Sequence, residues 1–481
     1  MSDRKNPRGL RRRTKIVCTI GPASGSALVI ERLIRAGMDV ARLNFSHGTH
    51  EQHAGFVRTI RRISARLGQS VAIMQDLPGS KGRTGKLRDG QVNLKQGAGF
   101  TLTTRAVAGD QHRVSINLPG LPRQVKAGIS IFLNDGAIHL VVESTTDTDV
   151  VCRVEAGGPL GPSKGINVPG VDLNLASITR EDERHLSFGL EQGVDFVALS
   201  FVSGAGDILQ ARQFLADRGA ETPLIAKIER QEALRNIDDI LQVADGVMVA
   251  RGDLGLEIPV QRVPLAQKEI VSKCNRAGKP VIVATQMLES MVASPSPTRA
   301  EVADIANAIL DGTDAMMLSA ETATGSYPVR AVRMMSSIAL RTETALPFSQ
   351  ILEKKGADLV PQTDDAIAYA ACHAAQQLRA AAIVAFTASG STARRVAKYR
   401  PRAPILALTP SESVGRSLAL VWGVHPVQVA EPLAVERMFA EGARKALELA
   451  VADRGDLIVI TAGVPKGDSG NTNLLKVERV G

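Results

Sequence analysis

The run GVMVARGDLGLEIPVQRVPLAQKEIVSKCNRAGKPVIVATQ, residues 246–286, decides how this chain folds. It opens on Gly246–Ala250, an apolar, β-branched segment that stops at Arg251-Gly252-Asp253. A helical pattern follows over Gln261–Arg276, and Gly278 and Pro280 end it. Val281–Ala284 is a second apolar segment, closed by Thr285-Gln286. Short unbroken apolar runs predict strands buried on both faces, as in a parallel sheet. The helix between them is the crossover that parallel strands require.

The same unit recurs outward in both directions. Strands are predicted at Lys15–Ile20, Val40–Phe45, Val71–Leu77, Phe196–Phe201, Leu224–Ile228 and Ala315–Leu318. Helical patterns cover Ala27–Arg35, His50–Leu67, Ile208–Arg218 and Arg299–Leu310. Eight such strands alternating with helices predict a (β/α)8 TIM barrel, with an open doubly wound sheet as the alternative. The alternation breaks over residues 85–177. There Phe100–Thr104, Ile129–Leu133, His139–Glu143 and Val150–Val154 alternate in the period of half-buried strands, and Asn134-Asp135-Gly136 signals a turn. This predicts an inserted small β-barrel domain. Its place after the third strand puts it at the mouth of the main barrel, where it could close as a lid. A further boundary is expected at Leu346–Asp364, punctuated by Pro347, Gly356 and Pro361. Beyond it, Ala381–Phe386, Pro404–Leu408, Pro426–Val429 and Asp456–Ile460 predict a smaller α/β domain. The expected organisation is barrel over 1–84 and 178–345, with 1–13 a basic tail, lid over 85–177, and a C-terminal α/β domain over 346–481.

Composition narrows the function. The chain has 481 residues, 44% hydrophobic and 22% charged, with a net charge of +9. Aromatics are only 3%, too few for a stacking platform on single-stranded nucleic acid. A basic balance also suits small acidic substrates; any DNA binding is expected to be salt-sensitive and non-specific. Arg4, Lys5, Arg8, Arg11, Arg12, Arg13 and Lys15 crowd the start and read as a solvated tail. No apolar h-region follows them, and no run is long enough to span a bilayer. Cys18, Cys152, Cys274 and Cys372 form no CxxC pair, so neither a zinc site nor a disulfide framework is expected, and a reduced, cytoplasmic compartment fits.

The chemistry should sit at the strand C-termini. There the sequence sets Arg42, Asn44, Ser46 and His47; Asp76, Lys81 and Arg83; Lys227 and Glu229; Gly252 and Asp253; Thr285; and Ser319 and Glu321. Two carboxylates on neighbouring strand ends, Glu229 and Asp253, suit Mg²⁺, which takes one or two carboxylates and fills its shell with water and substrate oxygens. Each alone could instead cap a helix or pair with Arg230 or Arg251. Lys227 stands two residues before Glu229 on one strand, so both point the same way. A lysine aimed into a barrel mouth calls for an anion, and a transferring phosphoryl group supplies one. Gly252 can bring its N–H close to a ligand, and Thr285 can hold or relay a proton. No Walker loop and no strand-linked GxGxxG is present. Ser389-Gly390-Ser391-Thr392, between a strand and a helix, reads as a phosphate nest or as an ordinary N-capped turn.

At these residues the sequence resembles the pyruvate kinase family. The resemblance is carried by residues 14–24 (TKIVCTIGPAS), 41–48 (ARLNFSHG), 248–255 (MVARGDLG), 275–280 (NRAGKP), 284–291 (ATQMLESM) and 297–301 (PTRAE), and covers the chain beyond the basic tail. It implies phosphoryl transfer from phosphoenolpyruvate to ADP, giving pyruvate and ATP in glycolysis. Lys227 would stabilise the phosphoryl group, and Glu229 and Asp253 would bind Mg²⁺ or Mn²⁺. Arg42, Gly252, Asp253 and Thr285 would hold phosphoenolpyruvate. Thr285, with Ser319 and Glu321, would lie on the route that protonates the enolate. Pro22, Asn44, His47, Arg83 and Lys164 match nucleotide positions. Asn44, Ser46, Asp76 and the carbonyl of Leu77 match the K⁺ positions. Asp135 would face the site when the lid closes. Thr387, Ser389, Gly390, Ser391 and Thr392 would cradle the phosphate of a sugar-phosphate or AMP effector in a regulatory last domain, with the Gly467–Asn473 loop closing over it. A homotetramer is implied, with helices Val329–Thr342 and Asp365–Leu378 as interfaces. Three departures stand out: the irregular loop Asp76–Arg83, Ala320 in place of a common glycine, and Lys81 where K⁺-requiring members carry an acid. The last leads us to expect that the Lys81 ammonium replaces K⁺. The alternatives are another Mg-dependent phosphoenolpyruvate or pyruvate barrel enzyme, such as a carbon–carbon lyase or mutase, and a non-catalytic metabolite sensor.

Overall fold

The structure is a computed structural model, and it describes residues 12–171, 173, 178–430, 434–464 and 471–481. Eight parallel strands close on themselves: β1 (Lys15–Thr19), β2 (Val40–Asn44), β3 (Ala72–Asp76), β4 (Phe196–Leu199), β5 (Leu224–Ile228), β6 (Gly246–Ala250), β7 (Val281–Ala284) and β8 (Ala315–Leu318). The register Lys15↔Ala315 between β1 and β8 closes the cylinder and removes the open-sheet alternative. Residues alternate between two cores, as the pleat demands. Ile16, Cys18 and Val247 face the helices, while Val17, Met74, Met248 and Met317 fill the interior. That interior core also contains Ala419 and Leu420, so the last domain supplies the barrel's floor.

Capping explains why the helices stop where the sequence predicts. His50–Leu67 starts on a capping box between Thr49 and Gln52 and ends at Gly68 with φ +60°. Arg299–Asp311 repeats the device with Thr298, Glu301 and Gly312. The predicted helix Gln261–Arg276 is a 3₁₀ turn, Val260–Arg262, followed by an α-helix, Val263–Ala277.

Among the described residues, the insertion holds a seven-stranded sheet in the order Gly82–Arg83, Gly165–Asn167, Ser130–Leu133, Ile138–Thr145, Asp149–Ala156, Gly99–Thr103, Arg113–Ser115, and a separate pair, Val92–Leu94 with Gly158–Leu160. A bridge between Thr84 and Ile116 joins its two ends and curls it into a small barrel. The sheet begins at Gly82, inside the stretch read as the end of the first barrel segment. Among the described residues, the C-terminal domain has a five-stranded sheet, of which Leu474–Arg479 is an antiparallel edge strand that the sequence reading missed. The stretch Leu346–Asp364, read as having weak periodicity, contains the helix Phe348–Gly356.

The basic start is not wholly a solvated tail. Residues 1–11 lie outside the described part, but Arg12, Arg13 and Lys15 are anchored. Arg12 donates to the carbonyls of Thr14 and Gly37 and to Asp39. The Arg13 guanidinium stacks on Phe348 and Trp422. Lys15 Nζ donates to the Val424 carbonyl at 2.7 Å. Each cation has found carbonyls, a carboxylate or aromatic faces, which a charge count cannot foresee. All four cysteines are free and buried. Among the described residues, no helix is long and apolar enough to cross a membrane.

Candidate active site

The C-terminal ends of β2, β3 and β5 converge on one buried charge cluster. Arg42 donates Nε to Asp76 Oδ2 at 2.6 Å and Nη1 to Thr19 Oγ1 at 2.9 Å. Lys227 Nζ lies 3.2 Å from Asp76 Oδ1, 2.6 Å from Ser200 Oγ and 2.9 Å from Glu229 Oε1. Lys227 and Glu229 do share one side of β5. Burial works against the Lys227 charge, but Asp76 and Glu229 outweigh it and push its pKa up, so the ammonium persists. Burial likewise opposes the Asp76 charge, and Arg42 and Lys227 overcome it and pull its pKa down.

Glu229 is 1% exposed, and its pKa is raised, first by burial and then by the charge of Asp253, against the pull of Lys227. Its Oε2 accepts the Phe201 N–H at 2.6 Å. Asp253 pairs with Lys81 at 2.7 Å. Neither acid uses the partner the local alternative offered, for Arg251 pairs with Asp304 at 2.7 Å instead. Two mutually repelling carboxylates, each with a lysine as its ion-pair partner, are a donor set that fits a hard divalent cation such as Mg²⁺. Among the described residues, no group of three or more His, Cys, Asp or Glu forms a fuller cage. Remaining ligand positions would fall to water and substrate oxygens.

Thr285, just past β7, has φ +68°, and Gln286 has φ +55°. For a β-branched residue this is strained backbone, of the kind held at functional sites. The bracing is visible. Arg251 donates to the Ala284 carbonyl at 3.3 Å and to the Thr285 carbonyl at 2.7 Å. Thr285 Oγ1 donates to the Ala284 carbonyl and accepts the Gly252 N–H at 2.8 Å. That corrects the expectation of a free Gly252 N–H: Thr285 already holds it. A Cβ on Gly252 would meet Thr285 only at ordinary contact distance, 3.6 Å, so the glycine is not demanded by the protein's own packing. Beyond this loop, Glu321 is buried, its pKa raised by that burial, and it accepts the N–H groups of Leu288 at 3.0 Å and Ser319 at 2.6 Å.

The other predicted positions lie around this centre. The Leu77 carbonyl accepts from Ser200 Oγ at 2.7 Å, and Asn44 Oδ1 accepts the Ser46 N–H at 3.1 Å. Pro22, Ser46 and His47 are exposed. Arg83 and Lys164 lie together on the insertion, where Arg83 Nη1 donates to the Ser163 carbonyl and the Thr84 N–H to that of Lys164. The turn Asn134-Asp135-Gly136 brings Asp135 to 3.4 Å from Lys81 Nζ. In the last domain, Gly390 has φ +86° and donates its N–H to Thr387 Oγ1 at the head of helix Ser391–Lys398, which no side chain caps. Ser389 Oγ lies 3.2 Å from Ser391 Oγ, and Thr392 Oγ1 lies 2.8 Å from Thr472 Oγ1. Of the expected closing loop, residues 467–470 fall outside the described part. Sequence reasoning overlooked Ser200, Phe201 and the bracing role of Arg251. The one available signal for Ser200 is a hydroxyl at the end of an apolar strand, and Phe201, which acts through its main-chain N–H, leaves none.

Comparison with known proteins agrees with this arrangement. Residues 11–332 match the family model for the pyruvate kinase barrel domain, and 365–478 match that for its alpha/beta domain. A pyruvate kinase of Geobacillus stearothermophilus is 49% identical over 471 residues, 97% of this chain and 80% of the relative. One from Clostridium acetobutylicum is 45% identical over 470 residues, 97% of this chain and 99% of the relative. The crystal structure of a pyruvate kinase from Cryptosporidium parvum superposes with a TM-score of 0.94 at 37% identity, covering 98% of this chain and 97% of that one. With matched models over most of its length and near-full-length relatives at this identity, the chain belongs to the pyruvate kinase family.

Proposed function

We propose that the rim of β5 to β7 transfers the phosphoryl group of phosphoenolpyruvate to ADP, with the residues in the following roles. Lys227 meets the group in flight with a charge fixed before the substrate arrives, so no reorganisation is needed at the transition state. Glu229 and Asp253 hold Mg²⁺ or Mn²⁺, which when bound screens the phosphoryl oxygens. Arg42, Gly252, Asp253 and Thr285 orient phosphoenolpyruvate, and Thr285, with Ser319 and Glu321 behind it, lies on the path by which the enolate gains a proton. Pro22, Asn44, His47, Arg83 and Lys164 contact the nucleotide. Phosphoenolpyruvate traps its product as an enol, and relaxation to the ketone drives transfer downhill. What the protein adds is position, charge and the exclusion of water. The observation that carries this reading is the Lys227–Glu229 pair at 2.9 Å, buried beside the negative charge of Asp253.

Of the four K⁺ positions, Asn44, Ser46, Asp76 and Leu77, three already have hydrogen-bond partners: Asp76 is met by Arg42 and Lys227, the Leu77 carbonyl by Ser200, and Asn44 Oδ1 by the main-chain N–H of Ser46. This supports a reaction that does not require K⁺, with Lys81 as the substitute cation. Thr387–Thr392 is the seat of a sugar-phosphate or AMP effector, supported by the uncapped helix start behind Gly390. A cytoplasmic homotetramer is the working form. The test is a coupled assay with phosphoenolpyruvate, ADP and Mg²⁺, with K⁺ replaced by a bulky organic cation in one arm and with sugar phosphates and AMP added in others. ADP-dependent pyruvate formation is expected, within about twofold with and without K⁺. No pyruvate without a nucleoside diphosphate acceptor separates this enzyme from a lyase or mutase, and pyruvate formed without ADP overturns the reading.

A further inference from the structure

Lys81 stands in an unusual place. It rises from the loop after β3, where Gly79 has φ +66°. Its stem passes over Gly165 so closely that a Cβ there would come within 2.6 Å of Lys81 Cε. The ammonium then lies 2.7 Å from Asp253 Oδ1, 3.4 Å from Asp135 Oδ1, and 5.6 Å from the centre of the Phe201 ring. The Lys81 side chain is 14% exposed, Asp253 28% and Asp135 79%.

The two carboxylates assigned to the divalent ion are therefore neutralised differently. Glu229 is met by Lys227, which sits on the same strand and is also tied to Asp76 and Ser200. Asp253 is met by Lys81, which comes from a loop and has only a looser second acid, on the inserted domain. Lys81 holds one oxygen of Asp253, Oδ1, and a divalent cation on either oxygen would come within a few ångströms of the ammonium, where like charges in a partly buried site repel strongly. A metal that takes Asp253 therefore drives Lys81 away, and a desolvated ammonium leaves readily only towards another anion.

We propose that Lys81 is an internal counter-cation that occupies Asp253 in the substrate-free enzyme and must be displaced by the divalent metal, so that metal binding is coupled to the arrival of an anionic substrate. The proposal rests on Glu229 and Asp253 being the metal site. The incoming phosphate and carboxylate give the displaced ammonium new partners, so metal and substrate each tighten the binding of the other. Lys81 acts here as a positioning residue.

The test reads metal binding, not turnover. Free Mn²⁺ is titrated by electron paramagnetic resonance against the full chain, with and without phosphoenolpyruvate and without ADP. In Lys81→Met, Mn²⁺ should bind about tenfold tighter than in the parent when phosphoenolpyruvate is absent, and the tightening caused by phosphoenolpyruvate should shrink by the same factor. Lys81→Arg keeps the charge and should stay within about twofold of the parent. A purely structural lysine predicts weaker binding in Lys81→Met, not tighter, so equal or weaker Mn²⁺ binding there overturns the proposal. Asp135→Asn is a second, exposed variant that answers even if Lys81→Met does not fold. It removes the alternative partner and should weaken substrate-free Mn²⁺ binding about threefold, and an unchanged or higher affinity overturns the proposal. If the parent binds no Mn²⁺ even with phosphoenolpyruvate, the metal assignment itself falls, and this inference with it. If the parent binds and Lys81→Met matches it, only the inference falls.

Discussion

The barrel carries buried ions at both ends, and they are arranged on opposite principles. At the base, Arg400 reaches Asp314 with Nη1 at 2.9 Å and Nη2 at 3.0 Å, donates also to Gly312 and Asn275, and stacks on Trp422. Asp314 accepts further from the backbone of Val281 and Trp422. Both charges of this pair are saturated by fixed partners, which is how a buried pair avoids a net penalty. At the mouth, two acids sit together, and one is held by a loop lysine. The Arg400–Asp314 pair is complete without a ligand and the mouth is not. Burial alone therefore does not mark a candidate site; acids left short of fixed counter-charges at the strand C-termini do.

Mutations at the two ends should split on turnover. Lys227→Met at the mouth should cost about 10³-fold or more in kcat, since it deletes the pre-placed cation proposed to meet the transition state, and should also lower the melting temperature, since it strands the buried Asp76 and Glu229. Steady-state kinetics beside a thermal melt checks both halves. Arg400→Met at the base should cost stability alone. Stranding Asp314 should cost roughly 3–5 kcal/mol of stability, with kcat of the folded fraction near that of the parent. If Arg400→Met instead abolishes turnover at full stability, the contrast between the ends is wrong. Leu420→Ala opens a cavity in the floor and should cost about 2–4 kcal/mol, read by denaturant unfolding.

The smallest effect is a gain. Lys355 donates to Asn275 Oδ1 at 3.2 Å, on the same oxygen as Arg400. Burial, with the Arg400 charge behind it, drives its pKa down to about 7. Lys398 opposes its charge too, while Asp314 and Asp358 favour it. Between about pH 7 and the model-peptide value of 10.5, the unfolded chain holds a proton that the folded chain has released, so stability should rise with pH across that window. Below pH 7 the folded state bears the full cost of a buried ammonium. Lys355→Met should raise the melting temperature most at pH 6 and hardly at all by pH 10. A gain that is flat with pH would show that lost packing or strain, not charge, is responsible.

The sequence disclosed the two ends unequally. The eight strands were legible because a strand buried on both faces leaves an unbroken apolar word, as in Val281–Ala284. The candidate site residues were legible because each such word runs into a letter that cannot be buried cheaply, such as Lys227, Glu229 and Asp253. What escaped were partners that leave no such trace. The Phe201 N–H on Glu229 and the carbonyls gripped by Arg251 are main-chain groups, common to every residue. Arg12 and Lys15 looked like solvated charges because their acceptors lie far along the chain. Gly82–Arg83 and Gly158–Leu160 were too short to show a period, and Leu474–Arg479 alternates with charged letters as an edge strand does.

The floor of the barrel has a consequence for how the chain is made. All eight strands are complete once residue 318 has been synthesised, yet the interior core they enclose includes Ala419 and Leu420. At ribosomal speeds of about 5–20 residues per second, the cylinder waits roughly 5–20 s with its underside unsealed. During that interval apolar side chains such as Met74 and Met317 lack their last cover, and a nascent-chain chaperone would find its binding surface there.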